Sequence, residues 1–473
     1  MTRPPYTGPM IPLLTADEMR ATERQAIDTW GIPSLVLQEH AALGALRLLP
    51  PGEPLTVLAG PGNNGGDTLA LARLARLEGR AVRLFALADP SAWKGDAVHQ
   101  ARLWQGLGGG IEHTSDPAAE VRTWRGWVVD GLFGLGGRPG LEGAAAAWAA
   151  ALNGSGLPVL ALDLPSGLDP DQAEVPGEVL RASRTACFGA LKVCHGLLPA
   201  RSWCGEISVV PIPLDREPVG NLKLLDRPRL APRSWDAHKG SFGHVGIRAG
   251  SLGMSGAAVL AARGALRVGA GLVTVLCEPE VRAEIAAQVP EAMVRAWKGA
   301  VPEEIDVLLA GPGGIGQVPE WDGPLVVDAS ALKEGEGRRW MERPGTAITP
   351  HPGEFARLFR LPRPLLMEER LAQARQVATG KPGVLLLKGA QSVVAGGARE
   401  ELWINPTGHP GLATGGSGDL LAGMVAGFRA QGLPMREAVA AAAWFHGAAA
   451  DRLPGPGLLP SDLADVLPEL LRD

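Results

Sequence analysis

Apolar runs of four to six residues recur along this chain of 473 residues, most of them ending in a polar or glycine-rich turn and followed by a stretch long enough for a helix. That alternation points to βαβ units, because a strand that leaves into a helix and returns as the next strand builds a parallel sheet. In the first half the runs are 55–59, 82–87, 127–130, 159–163 and 207–210. In the second they are 244–249, 272–276, 307–310, 325–328, 346–349 and 384–388. Between 211 and 234 the periodicity fails and prolines and charges gather, which reads as a linker. The expected architecture is therefore α/β in two domains, 1–216 and 225–473, with no short-period repeat.

Two helices are expected before the first run, at 15–29 and 34–48. Thr15 followed by Glu18 is a capping-box pattern, and Met19, Ala26 and Ile27 fall on one face. At the other end two helices are expected, at 418–431 and 435–451.

Composition removes several classes of function. Charged residues are 20% of the chain and the formal net charge is −5, so no basic field is available to neutralise a polymer's phosphates, and nucleic acid is not an expected partner. The longest apolar runs, such as 144–152, are far short of the roughly 18–20 residues that cross a bilayer, so no membrane partner is expected. The first residues lack a basic stretch, an apolar core and a small-residue cleavage site, which makes the cytoplasm the expected location. Cys187, Cys194, Cys204 and Cys277 show no C-x-x-C spacing and read as core residues. Glycine (64) and proline (41) are abundant, yet 46% of the residues are hydrophobic, enough for large cores in a loop-rich globular protein.

Three strand exits in the first half carry chemistry. The run 55–59 enters Gly60-Pro61-Gly62-Asn63-Asn64-Gly65-Gly66-Asp67 and then a helix. Glycines let a backbone approach a ligand, and a helix N-terminus offers free N–H groups to a phosphate. The run ending at Asp130 enters a loop through Gly134, Leu135, Gly136, Gly137, Arg138, Pro139 and Gly140; that ending at Asp163 enters Leu164-Pro165-Ser166-Gly167. Strand C-termini of a parallel sheet share one edge, so Asn64, Asp130 and Ser166 are placed to meet there. Carboxamide, carboxylate and hydroxyl oxygens suit an s-block cation, and a single carboxylate suits a monovalent one.

These residues resemble the NAD(P)H-hydrate epimerase family over 14–213: L-T-A-D-E-M-R, G-N-N-G-G-D, D-G-L-F-G-L-G, D-L-P-S-G-L-D and F-G-A-L-K, in that order. The resemblance implies a Rossmann-like domain in which Asn63, Asn64, Gly65, Gly66, Asp67, Gly134 to Gly140 and Asp163 hold a hydrated nicotinamide nucleotide. It implies potassium on Asn64, Asp130 and Ser166, with Asp163 as the acid/base. The chain departs from the family pattern at Thr68 and His40, and Lys192 is a further candidate for phosphate contact or proton transfer.

The second half carries Thr414-Gly415-Gly416-Ser417-Gly418-Asp419 ahead of an apolar helix. A glycine nest that opens a helix makes an anion hole, and a carboxylate in its first turn can take a proton from a hydroxyl under phosphorylation. Loops at Gly250–Ala257, Gly311–Gly316 and Thr349–Glu354 follow other strands. Together they resemble the ADP- or ATP-dependent NAD(P)H-hydrate dehydratases, a ribokinase-like family, over roughly 230–467. That resemblance implies that Ala257, Gly313, His351 and Asp419 meet the hydrate. It implies that Lys388, Gly389, Ala390, Gln391, Ser392, His409, Thr414, Gly415, Gly416, Ser417 and Gly418 bind the adenine nucleotide, with magnesium on its phosphates and Asp419 catalytic.

Ser330 stands where that family has a second aspartate, and His409 where it has asparagine. A fused two-step repair enzyme, forming a homo-oligomer, is the expectation, with hydrated NADH or NADPH and ADP or ATP as its small-molecule partners. The alternatives are an alcohol kinase with a ligand-binding N-terminal domain, and a non-catalytic N-terminal module beside an active dehydratase.

Overall fold

The computed structural model describes residues 10–87, 91, 93–214 and 220–472. Its described residues divide into two compact units, one running from Pro12 to Asn221 and the other from Leu222 onward, joined by Met10 and Ile11. This differs from the sequence-derived division, in which the chain's first residues belong to the first domain; residue 216, its expected end, lies outside the described residues.

The first unit holds a six-stranded, all-parallel sheet in the order Val82–Ala86, Leu55–Ala59, Trp127–Gly131, Val159–Leu162, Arg184–Phe188, Glu206–Val210. Its strands are short and mostly buried along their length, as sheets covered by helices on both faces require. The strand order reverses between Leu55–Ala59 and Trp127–Gly131, and at such a switch point two loops diverge and leave a crevice. The G-N-N-G-G-D turn and the loop from Gly131 to Gly140 leave from these two strands.

The expected first helix spans Ala16–Trp30 and is capped as its sequence predicts: Thr15 Oγ1 accepts from Glu18 N at 3.2 Å, and Thr15 N donates to Glu18 Oε2 at 2.8 Å. Ala16 N donates to Asp171 Oδ1 at 2.6 Å, and Leu14 N to Leu191 O at 2.9 Å, which fix the helix start beside the loops that follow the fourth and fifth strands.

The second unit is built on an eleven-stranded sheet. Its parallel centre runs Met293–Ala296, Leu272–Cys277, His244–Arg248, Val307–Ala310, Leu325–Val327, Thr346–Ile348, Val384–Leu387. The antiparallel strands Val393–Gly396 and Arg399–Ile404 extend it, followed by Leu222–Leu225 and, at the edge, Met10–Leu13. The expected linker thus contains a strand. Leu-Lys-Leu-Leu has little periodicity of its own, and pairing with Arg399–Ile404 organises it.

The chain ends in three helices and not two, Ser417–Ala430, Met435–Arg452 and Pro460–Leu470. Ser417–Ala430 packs closely against Ser255–Arg267 because glycines face the partner's backbone. A Cβ at Gly423 would stand 2.0 Å from Ala261 O, and one at Gly264 would stand 2.2 Å from Leu420 O. This sheet reverses order between His244–Arg248 and Val307–Ala310, so the Gly250 and Gly311 loops flank its crevice.

Candidate functional sites

Asp130, next to last in the strand Trp127–Gly131, is fully buried, with its carboxylate in a ring of donors. Ser166 Oγ donates to Asp130 Oδ1 at 2.6 Å, Ser166 N to Oδ2 at 2.8 Å, and Leu132 N to Oδ1 at 3.2 Å. Burial nevertheless pushes the carboxyl up to about 6, against the pull of those hydrogen bonds. Asn64 donates from Nδ2 to Leu162 O at 3.2 Å, while its buried Oδ1 has no hydrogen-bond partner among the described residues. Gly131 and Gly134 lie against Asn64: a Cβ at Gly134 would be 3.3 Å from Asn64 Cγ.

An orphaned carboxamide oxygen, a buried carboxylate and a hydroxyl, at three strand exits on one sheet edge, are oxygen donors of the kind that suits a monovalent cation. Among the described residues no three His, Cys, Asp or Glu side chains gather as a metal cluster.

Asp163 has a left-handed backbone, φ 64°, unusual for a residue with a side chain. Its Oδ1 accepts from the Lys192 ammonium and from Phe188 N at 3.3 Å. Lys192 is fully buried, and also donates to Phe188 O at 2.9 Å. Burial acts to lower its basicity, but the Asp163 charge beside it outweighs this and holds the amine above its ordinary value. His195 fixes the lysine backbone, its Nδ1 accepting from Lys192 N at 3.0 Å, and burial keeps that imidazole well below its usual range.

Two further carboxyls share this field. Burial first, then the charges of Asp163 and Glu23, raise Asp67 well above the usual aspartate range. Burial and Asp163 likewise raise Glu23, while Lys192 and Arg20 oppose them. Arg20 donates to Leu135 O at 2.5 Å, and Met19 packs under Gly189, so the first helix presents this face to the loops of the sheet edge. Glu23 was missed from sequence although a signal existed: it interrupts the apolar stripe of Met19, Ala26 and Ile27 at helical spacing. Of the two departures from the family pattern, Thr68 is buried with its hydroxyl donating to Asn64 O at 2.8 Å, and His40 is exposed.

In the second unit Lys388 Nζ donates to Asp328 Oδ1 at 3.0 Å, and Thr349 Oγ1 donates to the same oxygen at 2.8 Å. A Cβ at Gly418 would stand 3.2 Å from Lys388 Nζ, so the amine faces the N-terminus of Ser417–Ala430. Burial, then the Asp328 charge, push Asp419 up to about 6 against the pull of Lys388. Burial acts to lower the Lys388 amine, but the Asp328, Glu354 and Asp419 charges around it hold it above its ordinary value. His446 is buried, and held down to about 4 by that burial.

Gly313 abuts the Gly250 loop, its would-be Cβ 2.6 Å from Met254 O and 2.9 Å from Gly250 N, and Ser251 Oγ donates to Gly313 O at 2.7 Å. The flanking helix Ser255–Arg267 carries Ala257 in its first turn. His351 and His409 have local structural duties. His351 Nδ1 accepts from Gly353 N at 3.0 Å and caps Pro352–Phe359, and His409 Nδ1 accepts from Gly411 N at 3.1 Å. Gly416, at φ 89°, turns the chain into its helix, and Ser417 Oγ bonds back to Leu412 O at 3.0 Å. Ser330 is exposed on the short helix Ala329–Ala331 that follows Asp328, so that helix carries no carboxylate.

Comparison with known proteins finds two family models in tandem. One described as YjeF-related protein N-terminus matches 35–194, and one described as NAD(P)H-hydrate dehydratase matches 245–469. Among curated relatives, the bifunctional NAD(P)H-hydrate repair enzyme Nnr of Moorella thermoacetica is 34% identical, covering 98% of this chain and 97% of its own. The Nnr of Escherichia coli is 33% identical over 96% and 93%. A solved ADP/ATP-dependent NAD(P)H-hydrate dehydratase from Bacillus subtilis, co-crystallised with ATP and magnesium, is 31% identical, covering 51% of this chain and 94% of its own with a TM-score of 0.45.

Proposed function

We propose that this chain, which belongs to the bifunctional NAD(P)H-hydrate repair enzyme family, performs two successive reactions on a damaged nicotinamide cofactor, one at each sheet edge. The observation that carries the reading is a duplicated arrangement. On the strand-exit edge of each unit's sheet, beside a glycine-lined switch point, a carboxylate is paired to a lysine, Asp163 with Lys192 and Asp328 with Lys388.

Hydration of a dihydronicotinamide places a hydroxyl on the carbon beside the ring nitrogen. Departure of that hydroxyl leaves a planar iminium, and water returning on the opposite face gives the other epimer. In the first unit Asp163 relays the proton of the Lys192 ammonium bonded to it onto the departing hydroxyl, and returns to Lys192 the proton it takes from the incoming water. Lys192, charged at rest, fixes the carboxylate. The Asn63–Asp67 turn and the Gly134–Gly140 loop bind the nucleotide, their helix N-terminus directed to its phosphates. Potassium held by Asn64, Asp130 and Ser166 would supply a fixed positive charge that compensates Asp130.

In the second unit Asp419 takes the proton of the S epimer's hydroxyl as the oxygen bonds to the terminal phosphorus of ADP or ATP. The bond to AMP or ADP breaks, and the Gly415–Gly418 nest receives the charge that develops on the phosphoryl oxygens. Elimination of phosphate, with loss of a proton from the adjacent carbon, restores the ring double bond. Ala257, Gly313 and His351 shape the hydrate's place; Lys388–Ser392, His409 and Thr414–Gly418 hold the nucleotide. Magnesium on the nucleotide phosphates would neutralise their charge.

The test is the R epimer alone with ADP, following return of dihydronicotinamide absorbance and release of phosphate. Recovery at an enzymic rate with one phosphate per cofactor is expected. A stable phosphorylated product would instead make the second unit a kinase.

A further inference from the structure

A guanidinium lies beneath the loop 388–392 where a charge is costly. Arg370, on the helix Met367–Ala378, is only 6% exposed. One terminal nitrogen donates to Leu387 O at 3.3 Å and to Gln391 O at 2.8 Å, bridging the start and the far side of the loop. The group fills the space under Gly389, where a Cβ would come within 2.5 Å of that nitrogen. Its Nε is buried with no hydrogen-bond partner, and among the described residues no carboxylate pairs with it.

A second buried arginine gives the contrast. Arg436 also bonds to carbonyls, those of Gly396 and Glu401, but it stacks 4.0 Å from the Trp403 ring centroid and has the Glu401 carboxylate in its field. Among the described residues Arg370 has neither an aromatic face nor a counter-charge. Burial pulls it down to about 10, which leaves it cationic at neutral pH. A buried cation without a counter-ion is unfavourable unless an anion arrives beside it.

We infer that Arg370 is a positioning residue of the nucleotide site, setting the loop 388–392 through two carbonyls and supplying a reserved positive charge for the phosphates of the bound adenine nucleotide. The inference rests on the reading that this loop takes the nucleotide. A brace alone would serve every adenine nucleotide equally; a reserved charge makes the contribution grow with phosphate charge.

The experiment is calorimetric titration of AMP, ADP and ATP into the full chain and into R370M, R370K and R436M. In R370M the loss of affinity should rise along the series and reach on the order of tenfold for ATP, equivalent to about 1.4 kcal/mol. R370K should keep most of the ATP affinity, and R436M should match the wild type. R370Q, which keeps an amide donor but no charge, replaces R370M if that variant does not fold. Equal loss for all three nucleotides, or no loss, overturns the inference while leaving the nucleotide site standing. Absence of binding by the wild type overturns the site itself, and the inference with it.

Discussion

Replacing Asp130 with asparagine should remove a pH- and cation-dependent penalty on the stability of the first unit. Burial drives this carboxyl up to about 6 in the folded chain, against about 3.9 when unfolded. Because the folded value is the higher one, the stability associated with the group is fully present below about pH 4 and is lost as pH rises through about 6. The gap between the two values corresponds to about 3 kcal/mol at most, at about 1.4 kcal/mol for each tenfold change in proton affinity. Potassium at the Asn64 and Ser166 oxygens would favour the ionised form and return much of that loss. The assay is urea denaturation of wild type and D130N between pH 4 and 8, in potassium chloride and in tetramethylammonium chloride. In the organic salt the variant should gain on the wild type by up to about 3 kcal/mol across that range. In potassium the gain should shrink, and wild-type epimerisation alone should depend on the cation. A stability difference that is flat with pH and identical in the two salts refutes the reasoning and makes Asp130 and Ser166 braces of their loops.

Asp419→Asn should reduce nucleotide-driven dehydration by about 10²–10⁴-fold while epimerisation continues. In the wild type, dehydration should fall as acid protonates Asp419 through about pH 6, read from a pH–rate profile. Lys192→Met leaves Asp163 buried without its partner; epimerisation should be lost and the first unit destabilised by about 3–5 kcal/mol, measured by chemical denaturation. Gly311→Ala should impair dehydration, because φ is 125° there and a Cβ would stand 1.8 Å from Asp328 O. A cost of about 1–3 kcal/mol is expected in the melting of the second unit.

At the two switch points the strands Leu55–Ala59 and Val307–Ala310 were legible because each is a short, mostly apolar run, Leu-Thr-Val-Leu-Ala and Val-Leu-Leu-Ala, that ends abruptly in glycine. Periodicity carried less where the sheet borrows its order from neighbours. Arg184–Phe188 begins on arginine, and the hairpin Val393–Gly396 with Arg399–Ile404 mixes charge and glycine; both are strands because adjacent strands pair with them. The meeting of Asp130 with Ser166 followed from the rule that parallel strand exits share an edge. The lysine partners did not follow. Lys192 and Lys388 gain their meaning from carboxylates 29 and 60 residues away in the chain, and no local pattern distinguishes a buried lysine from an exposed one. Arg370 was invisible for the same reason, since its helix reads as an ordinary charged surface helix until its guanidinium is seen under Gly389.

Two chemically separate sites in one chain can be tested by mixing two crippled proteins. Asp163→Asn should retain dehydration of the S epimer and Asp419→Asn should retain epimerisation, so neither variant alone should repair the R epimer with ADP at an enzymic rate. Mixed in solution, the pair should restore dihydronicotinamide absorbance, because the S epimer released by one protein is the substrate of the other. Repair by Asp419→Asn alone, or loss of S-epimer dehydration in Asp163→Asn, would contradict the division of labour between the two sheet edges.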